Sequence, residues 1–120
     1  MKCLFLDDER FPDEVFWISY KHYKDMDFTI VRTALDFKFA IEQQEYFDVI
    51  LFDNDLGEEI EGFDLLYWYI NKYLDGQVPK LPSKFVLHTQ NDVVRERMQS
   101  LLDNFAYHHD LDFEVINFER

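Results

Sequence analysis

Acidic side chains follow two apolar runs of this sequence at the points where each run ends. Residues 2–6 (KCLFL) lead into Asp7 and Asp8, and residues 48–52 (DVILF) lead into Asp53. Carboxylates that are brought together repel one another, and burial raises their pKa values unless a cation compensates. A divalent ion does this best, and oxygen ligands suit Mg²⁺ or Mn²⁺ better than Zn²⁺. The sequence therefore predicts a Mg²⁺ (or Mn²⁺) site with Asp7, Asp8 and Asp53 as its metal ligands.

Candidates for proton transfer follow a third apolar run, residues 84–88 (KFVLH). Because an unperturbed histidine titrates near neutrality, His88 is interpreted as a general acid or base acting on a phosphodiester, with a hydrogen-bonded core histidine as the alternative. Thr89 comes directly after it and is included among the catalytic candidates. Asp55 is a further candidate, as a metal ligand, a base or a residue that shapes its loop.

Two arginines are the best candidates for phosphate binding, because a guanidinium pairs bidentately with phosphate and keeps its charge. Arg10 immediately follows the first acidic cluster. Arg95 lies in the first turn of a predicted helix, whose free backbone N–H groups also favour anions. Asn91 precedes that helix and either caps it or binds ligand. We therefore predict that Arg10, Asn91 and Arg95 bind phosphate.

Five strands must position these residues. Residues 2–6, 48–52 and 84–88 are nearly continuous apolar runs, which is typical of strands buried on both faces of a parallel sheet. Residues 28–32 and 113–118 alternate more and suit strands nearer the sheet edges. Strands alternating with helices predict an α/β fold, a doubly wound five-stranded parallel sheet with helices on both faces. In the flavodoxin-like order 2-1-3-4-5 the first, third and fourth strands are neighbours, and ligands bind beyond their C-terminal ends.

The intervals between these strands contain helical patterns of unequal strength. Thr33 is the predicted N-cap of a helix over residues 34–44, with Leu35, Phe39 and either Ile41 or Ala40 on its apolar face. Residues 11–25 are less regular, so we expect a short or distorted helix there.

The two later helices have clearer signals. Residues 63–74 follow the i, i+3, i+4 spacing, with Phe63, Leu66, Tyr67, Ile70 and Leu74 on one face, and Gly76 ends the helix. A third helix begins near Asp92, its candidate N-cap.

The composition supports one folded domain over residues 1–120. With 48% hydrophobic and 18% aromatic residues the chain has enough apolar material for a core without disulfides, and its single cysteine, Cys3, is expected to be buried without a redox role. The formal net charge of −13 argues against broad binding to a nucleic-acid backbone, although a metal site can still receive a small phosphate. No apolar run approaches the length of a membrane span, so we expect no membrane association and a cytoplasmic location.

The acidic residues at these strand ends resemble those of the receiver domains of bacterial response regulators. Position by position, Asp7 and Asp8 match the receiver's acidic pair, Asp53 its phospho-acceptor, and Thr89 the hydroxyl that switches on phosphorylation. The resemblance implies that the acidic residues bind Mg²⁺. Receivers have a Lys at the end of the fifth strand and a final helix. Here FEVINFER has no Lys, and because the sequence ends at Arg120 we expect the final helix to be absent.

Three ordered motifs resemble a narrower family, the receiver-like domain of predicted cyclic-phosphate processing. They are LDDER-P at residues 6–12, D-x-DLG at residues 53–57 followed by Gly62, and H-T-x-N-x-x-x-R-x-R-M at residues 88–98. Asn54 stands where this family usually has His. The resemblance implies divalent-metal-dependent binding or hydrolysis of a cyclic phosphate, either a 2′,3′-cyclic RNA end or a cyclic nucleotide.

Two other functions remain open at this point. The first is a non-catalytic receiver-like module whose acidic surface binds a protein partner. The second is an authentic phospho-acceptor at Asp53, for which the missing Lys is unfavourable.

Overall fold

A five-stranded parallel sheet forms the centre of the protein. The computed structural model describes residues 1–43 and 46–117. The strands pair in the order β2-β1-β3-β4-β5, and every pairing is parallel, so the predicted sheet and its strand order are confirmed. The predicted ends at Gln44 and Phe118 lie outside the described residues. The strands are β1 (Lys2–Leu6), β2 (Asp27–Val31), β3 (Val49–Phe52), β4 (Lys84–Leu87) and β5 (Glu114–Ile116).

The three continuous apolar runs form the inner strands of this sheet. Every residue of β3 is buried, as are all but the first of β1 and of β4. Alternate side chains of these strands point to opposite faces, so each strand contributes to two hydrophobic clusters. Cys3 lies in the second cluster, and burial raises the pKa of its thiol to about 12. The thiol therefore stays protonated and behaves as a small apolar group.

Three α-helices cover one face of the sheet: α1 (Ala34–Glu42), α2 (Gly62–Leu74) and α3 (Asp92–His109). The Thr33 hydroxyl caps α1 by accepting a hydrogen bond from the Asp36 amide at 3.1 Å, as predicted. The cap of α3 is Asn91, whose Oδ1 accepts from the Val94 amide at 3.3 Å. Of the two predicted cap candidates, Asn91 and Asp92, the structure therefore shows Asn91 as the cap, and Asp92 is the first residue of the helix.

The other face of the sheet is covered by residues 11–25. The short or distorted helix predicted there takes the form of two 3-10 helices, Pro12–Glu14 and Tyr20–His22. Trp17 and Tyr23 are buried against this face, and the Tyr23 hydroxyl donates to the Val15 carbonyl at 2.9 Å. An irregular segment thus takes the place of a regular α-helix on this face, and its aromatic side chains cover the sheet as the side chains of a helix would.

The buried face of α1 differs in part from the predicted one, since only Ile41 of the predicted residues is buried. Ala34, Phe37 and Ile41 are buried, whereas Leu35 and Phe39 are 76% and 62% exposed. The sequence places apolar residues on both candidate faces, and only packing on the sheet selects between them.

None of the helices in the described part of the chain is long and apolar enough to span a membrane.

The start of α2 is pressed against the end of β3. The Gly62 amide donates to the Asn54 carbonyl at 2.9 Å, and a Cβ added at Gly62 would overlap the Asp53 carbonyl and lie 2.8 Å from Cα of Asn54. Only a residue without a side chain permits this approach. Gly62 therefore fixes the distance between the helix and the strand end that carries Asp53.

We expect Gly62→Ala to destabilise the protein by about 1–3 kcal/mol, because the new methyl group must displace the backbone at residues 53–54. Helix propensity alone predicts the opposite sign, since Ala favours a helix by about 1 kcal/mol over Gly. Urea unfolding measures the difference. At Gly76 nothing lies within 4 Å of an added Cβ, so Gly76→Ala serves as a control in which only the left-handed φ of 77° is strained. A free energy of unfolding of Gly62→Ala equal to or higher than that of wild type would contradict the packing of α2 on the end of β3.

Candidate functional site

Three buried polar residues meet at the C-terminal edge of the sheet. Asp7, Asp53 and His88 follow β1, β3 and β4, which are neighbours in the sheet, so their side chains converge as predicted. Each offers a potential ligand atom, and these atoms lie within 4.8 Å of one another. All three residues are buried, with exposed fractions of 0%, 4% and 0%. The apolar strands thus place two carboxylates and an imidazole together at the end of the core.

Asp7 is held as a carboxylate by hydrogen bonds. Its Oδ1 accepts from the amides of Glu9 and Arg10 at 3.0 and 2.8 Å, and its Oδ2 lies 3.1 Å from Nε2 of His88. Burial alone would raise the pKa of Asp7, but these hydrogen bonds outweigh it and lower the pKa to about 2. Asp7 is therefore ionised across the whole physiological pH range.

His88 positions Asp7. Its ring stacks on Phe5 with centroids 5.0 Å apart, and the Trp17 indole N–H donates to the His88 carbonyl at 2.7 Å. Burial lowers the pKa of His88 despite the hydrogen bond to Asp7, so the imidazole is neutral at pH 7 and donates from Nε2 to the carboxylate. Since the side chain is fully buried, the alternative of a hydrogen-bonded core histidine describes its surroundings, and its role as a general acid or base stays a prediction.

The pKa of Asp53 is shifted in the opposite direction to that of Asp7. Burial, followed by the charge of Asp7, raises the pKa of Asp53 to about 7, and the hydrogen bond from the Asn54 amide at 2.8 Å offsets only part of this effect. Asp8 adds a smaller repulsion and Arg10 a smaller attraction. The two adjacent carboxylates thus differ in protonation: Asp7 is ionised at every physiological pH, whereas Asp53 titrates near neutrality.

The carboxylate oxygens of Asp7 and Asp53 lie at this edge, and Nδ1 of His88 is buried without a hydrogen-bond partner among the described residues. Among the described residues, the two amides and His88 occupy most of the acceptor positions of Asp7, while Asp53 accepts the Asn54 amide alone. His88 uses Nε2 for Asp7. An oxygen donor set with two negative charges fits Mg²⁺ or Mn²⁺, and the buried repulsion between Asp7 and Asp53 is what a divalent cation relieves.

Two arginines flank the carboxylates. Nη1 of Arg10 lies 3.6 Å from Oδ2 of Asp7, and its guanidinium lies 5.1 Å from the centroid of the Trp17 ring. Arg32, which the sequence interpretation missed, follows β2 and donates to the carbonyls of Asp7, at 3.2 Å, and of Arg10. In the sequence it stands at the end of the strand predicted over residues 28–32, and this position at the same sheet edge was the signal that could have identified it. Arg32 therefore holds the backbone that carries the first acidic cluster.

The residues after β4 are bonded mainly to one another. The Thr89 hydroxyl accepts from the Asn91 amide at 3.2 Å, and Arg95 donates to the Thr89 carbonyl at 3.1 Å and to Asp92 at 2.6 Å. Thr89 and Arg95 are buried. These contacts join β4 to the start of α3, and the catalytic role of Thr89 and the phosphate-binding roles of Asn91 and Arg95 stay predictions.

The loop after β3 is organised by Asn54. Its Oδ1 accepts from the Phe63 amide at 3.0 Å, and its Nδ2 donates to Oδ1 of Asp55 at 3.1 Å. Asn54 is buried, whereas Asp55 and Asp8 are exposed at the edge of the site. Asn54 therefore links α2 to the end of β3 and orients Asp55, the exposed one of the three predicted catalytic residues.

Comparison with solved structures shows the fold class. The chain is similar to an adenylate cyclase from Rhodopirellula baltica, with 16% identity and a TM-score of 0.58 over 97% of this chain and 74% of that one. It is also similar to NtrX from Brucella abortus, with 14% identity and a TM-score of 0.54 over 98% of this chain and 23% of that one. A search of the curated proteins finds no match. Together with the strand order and the acidic edge, these similarities define a receiver-like α/β domain.

A family model gives the more specific assignment. The model described as the cyclic-phosphate processing Receiver domain matches residues 2–104. The chain belongs to this family, which confirms the resemblance inferred from the three sequence motifs.

The opposed pKa values of Asp7 and Asp53 predict how stability depends on pH. Between about pH 4 and pH 7 the folded protein retains a proton on Asp53 that the unfolded chain has already released, so the free energy of unfolding of the metal-free protein falls through this window. The Asp53→Asn variant has no titrating carboxyl at this position, so its free energy of unfolding does not fall through this window for that reason. We expect the variant to gain about 2–4 kcal/mol over wild type between pH 4 and pH 8, measured by urea unfolding in EDTA. A difference that does not change with pH would contradict the raised pKa.

Proposed function

We propose that this domain binds a divalent metal ion through Asp7, Asp8 and Asp53 and, with it, a cyclic phosphate ester that the domain then hydrolyses. Family membership supports the choice of a cyclic phosphate, and the carboxylates at the sheet edge support the metal. Both the metal and the hydrolysis go beyond what the family assignment contains.

The observation that carries the proposal is the juxtaposition of two buried carboxylates. Asp7 is fully ionised, and its charge is part of the reason that the pKa of Asp53 rises to about 7. Such an arrangement is costly for a protein unless a cation compensates it. Arg10 supplies part of that charge at 3.6 Å from Asp7, and a divalent ion would supply the rest. A bound Mg²⁺ supplies Lewis-acid stabilisation of a phosphoryl oxygen.

Arg10 is the residue of this chain best placed to bind the phosphate. It is half-buried, lies beside the metal-binding carboxylates and rests on Trp17. Its backbone amide is fixed by Asp7, so the guanidinium can exchange its contact with Asp7 for a phosphate without moving the loop. The Arg95 guanidinium is buried and donates to the Thr89 carbonyl and to Asp92, so Arg10 is the leading candidate.

Proton transfer to the leaving oxygen or from the attacking water falls to Asp55. His88 and Thr89 have exposed fractions of 0% and 1%, whereas Asp55 is exposed and its carboxylate is oriented by Asn54 at 3.1 Å. A general acid or base must reach the reacting group within hydrogen-bond distance. We assign His88 the separate task of keeping Asp7 ionised.

Metal binding is tested first. We expect Mn²⁺ to broaden the NMR signals of residues at the carboxyl edge, and Mg²⁺ to raise the melting temperature more at pH 8 than at pH 5, where Asp53 is protonated. Asp53→Asn should lower the Mg²⁺ affinity at least about 10-fold, because it removes the charge of the carboxylate that has the fewest hydrogen-bond partners at the site. Asp103→Asn removes the same charge from an exposed position of α3 and is the matched control. Equal affinities of the two variants would contradict the assignment.

Turnover is tested separately with nucleoside 2′,3′-cyclic and 3′,5′-cyclic phosphates, followed by ³¹P NMR with Mg²⁺. We expect hydrolysis that requires the metal and is lost in Asp53→Asn, and a reduction of kcat of about 10²-fold or more in Asp55→Asn with a smaller change in KM. Metal-dependent binding without turnover would leave a receptor for the cyclic phosphate and contradict hydrolysis. Absence of both binding and turnover would contradict the proposal as a whole.

A further inference from the structure

The outer edge of β2 is open to a further strand. Among the described strands β2 pairs with β1 alone, so it forms one end of the sheet. The Asp27 amide donates to the Met1 carbonyl at 2.9 Å, and the Val31 carbonyl accepts from the loop after β1 at 3.2 Å. Successive residues of a strand direct their backbone groups to alternate edges, so the N–H and C=O groups of Phe28 and Ile30 point away from β1.

The features that usually prevent pairing at a sheet edge are missing from β2. Its sequence, DFTIV, contains neither Lys nor Pro, and its register with β1 has no bulge. Beside it, a groove of about 280 Å³ runs between β2 and α1 and is lined in part by Phe39, whose side chain is 62% exposed. Backbone groups and an apolar side chain are therefore uncovered at the same edge.

The local charge at this edge differs from that of the whole chain. The formal net charge of the protein is −13, which keeps two copies apart over most of their surfaces. Residues 24–40, which include β2 and most of α1, carry three positive and three negative side chains and are neutral in sum. They are Lys24, Arg32 and Lys38, and Asp25, Asp27 and Asp36. Two copies can therefore approach each other at this edge without strong repulsion.

We propose that a second copy of this chain binds at the edge, with β2 antiparallel to β2 and Thr29 on the two-fold axis. Phe28 then lies opposite Ile30 of the second copy, and because the backbone groups of both point outwards, the two residues exchange both hydrogen bonds. Phe28 and Ile30 also pack on the same hydrophobic cluster, so their side chains lie on one face of the joined sheet as an aromatic and β-branched pair.

The ladder geometry selects this register. A shift of one residue would place Phe28 opposite Thr29 of the second copy, whose backbone groups point towards β1 and cannot bond across the interface. A shift of two residues would place Phe28 opposite Arg32, which already donates to the Asp7 carbonyl at 3.2 Å. The register centred on Thr29 pairs all five residues of β2.

The joined sheet also covers the groove beside α1. The two α1 helices lie on the same face, on either side of the two-fold axis, so the groove of each copy opens towards the other. Because the two β2 strands are antiparallel, the two carboxylate edges lie at opposite ends of the joined sheet. The dimer is therefore independent of the proposed function and leaves both sites open.

The test measures association and amide exchange in the same wild-type samples. Sedimentation equilibrium between about 10 µM and 1 mM should show a monomer–dimer equilibrium. Over the same range, hydrogen exchange of the Phe28 and Ile30 amides should slow at least about 10-fold as the dimer fills, because these amides are bonded only across the interface. The Asp27 amide, which is bonded to Met1 in the monomer, should keep its rate.

Two variants remove different parts of the interface. Ile30→Pro deletes an outward amide, which an edge strand tolerates, and should abolish the dimer, whereas Ile30→Val keeps the amide and should dimerise as wild type does. Phe39→Lys places two like charges across the axis and should raise the dissociation constant at least about 10-fold. Phe16→Lys adds the same charge at another aromatic residue, 86% exposed, on the opposite face of the sheet and should leave the dimer unchanged.

The outcomes distinguish this interface from the alternatives. A chain that stays monomeric at about 1 mM would overturn the second copy as the occupant and leave the edge for a strand of another protein. A dimer in which the exchange of the Phe28 and Ile30 amides does not change, or in which Phe39→Lys and Phe16→Lys weaken association equally, would overturn the β2 interface. The amide rates and Phe39→Lys, which alters an exposed side chain, decide the question even if Ile30→Pro does not fold.

Discussion

Keeping a charged Asp7 inside the protein is the constraint on which the rest of the site depends. The carboxylate is fully buried, and His88 and the amides of Glu9 and Arg10 together hold it ionised. His88 in turn is held by stacking on Phe5 in β1 and by the Trp17 indole. Residues 11–25 therefore do more than cover the second face of the sheet, since they hold the histidine that stabilises the first carboxylate.

The charge on Asp7 determines how Asp53 behaves. A second carboxylate at the end of the neighbouring strand meets both burial and a fixed negative charge, so its pKa moves to about 7 while that of Asp7 moves to about 2. Gly62 and Asn54 tie this strand end to α2, which prevents Asp53 from relaxing away from Asp7. The fold thus holds two mutually repelling carboxylates together at one edge of the sheet, and strongly shifted pKa values of this kind cluster at functional sites.

The sequence predicted the parts of this structure that depend on local pattern. Continuous apolar runs identify buried parallel strands, and polar residues directly after them identify the edge at which Asp7, Asp53 and His88 converge. What it did not predict depends on tertiary packing: the buried face of α1, the packing of Trp17 and Tyr23 against the second face, and the part played by Arg32. The sequence pattern predicts His88 only as a catalytic candidate at a strand end, whereas its burial and its hydrogen bond to Asp7 are visible only in the structure.

The most direct test of this account is the proton released when Mg²⁺ binds. Calorimetric titration at pH 6 in two buffers with different ionisation enthalpies measures that number, because a ligand that binds the ionised carboxylate must displace its proton. With the pKa of Asp53 near 7 in the metal-free protein, the account predicts release of about one proton per Mg²⁺ at pH 6 and of none at pH 9. Binding without proton release at pH 6, or no binding at either pH, would contradict it.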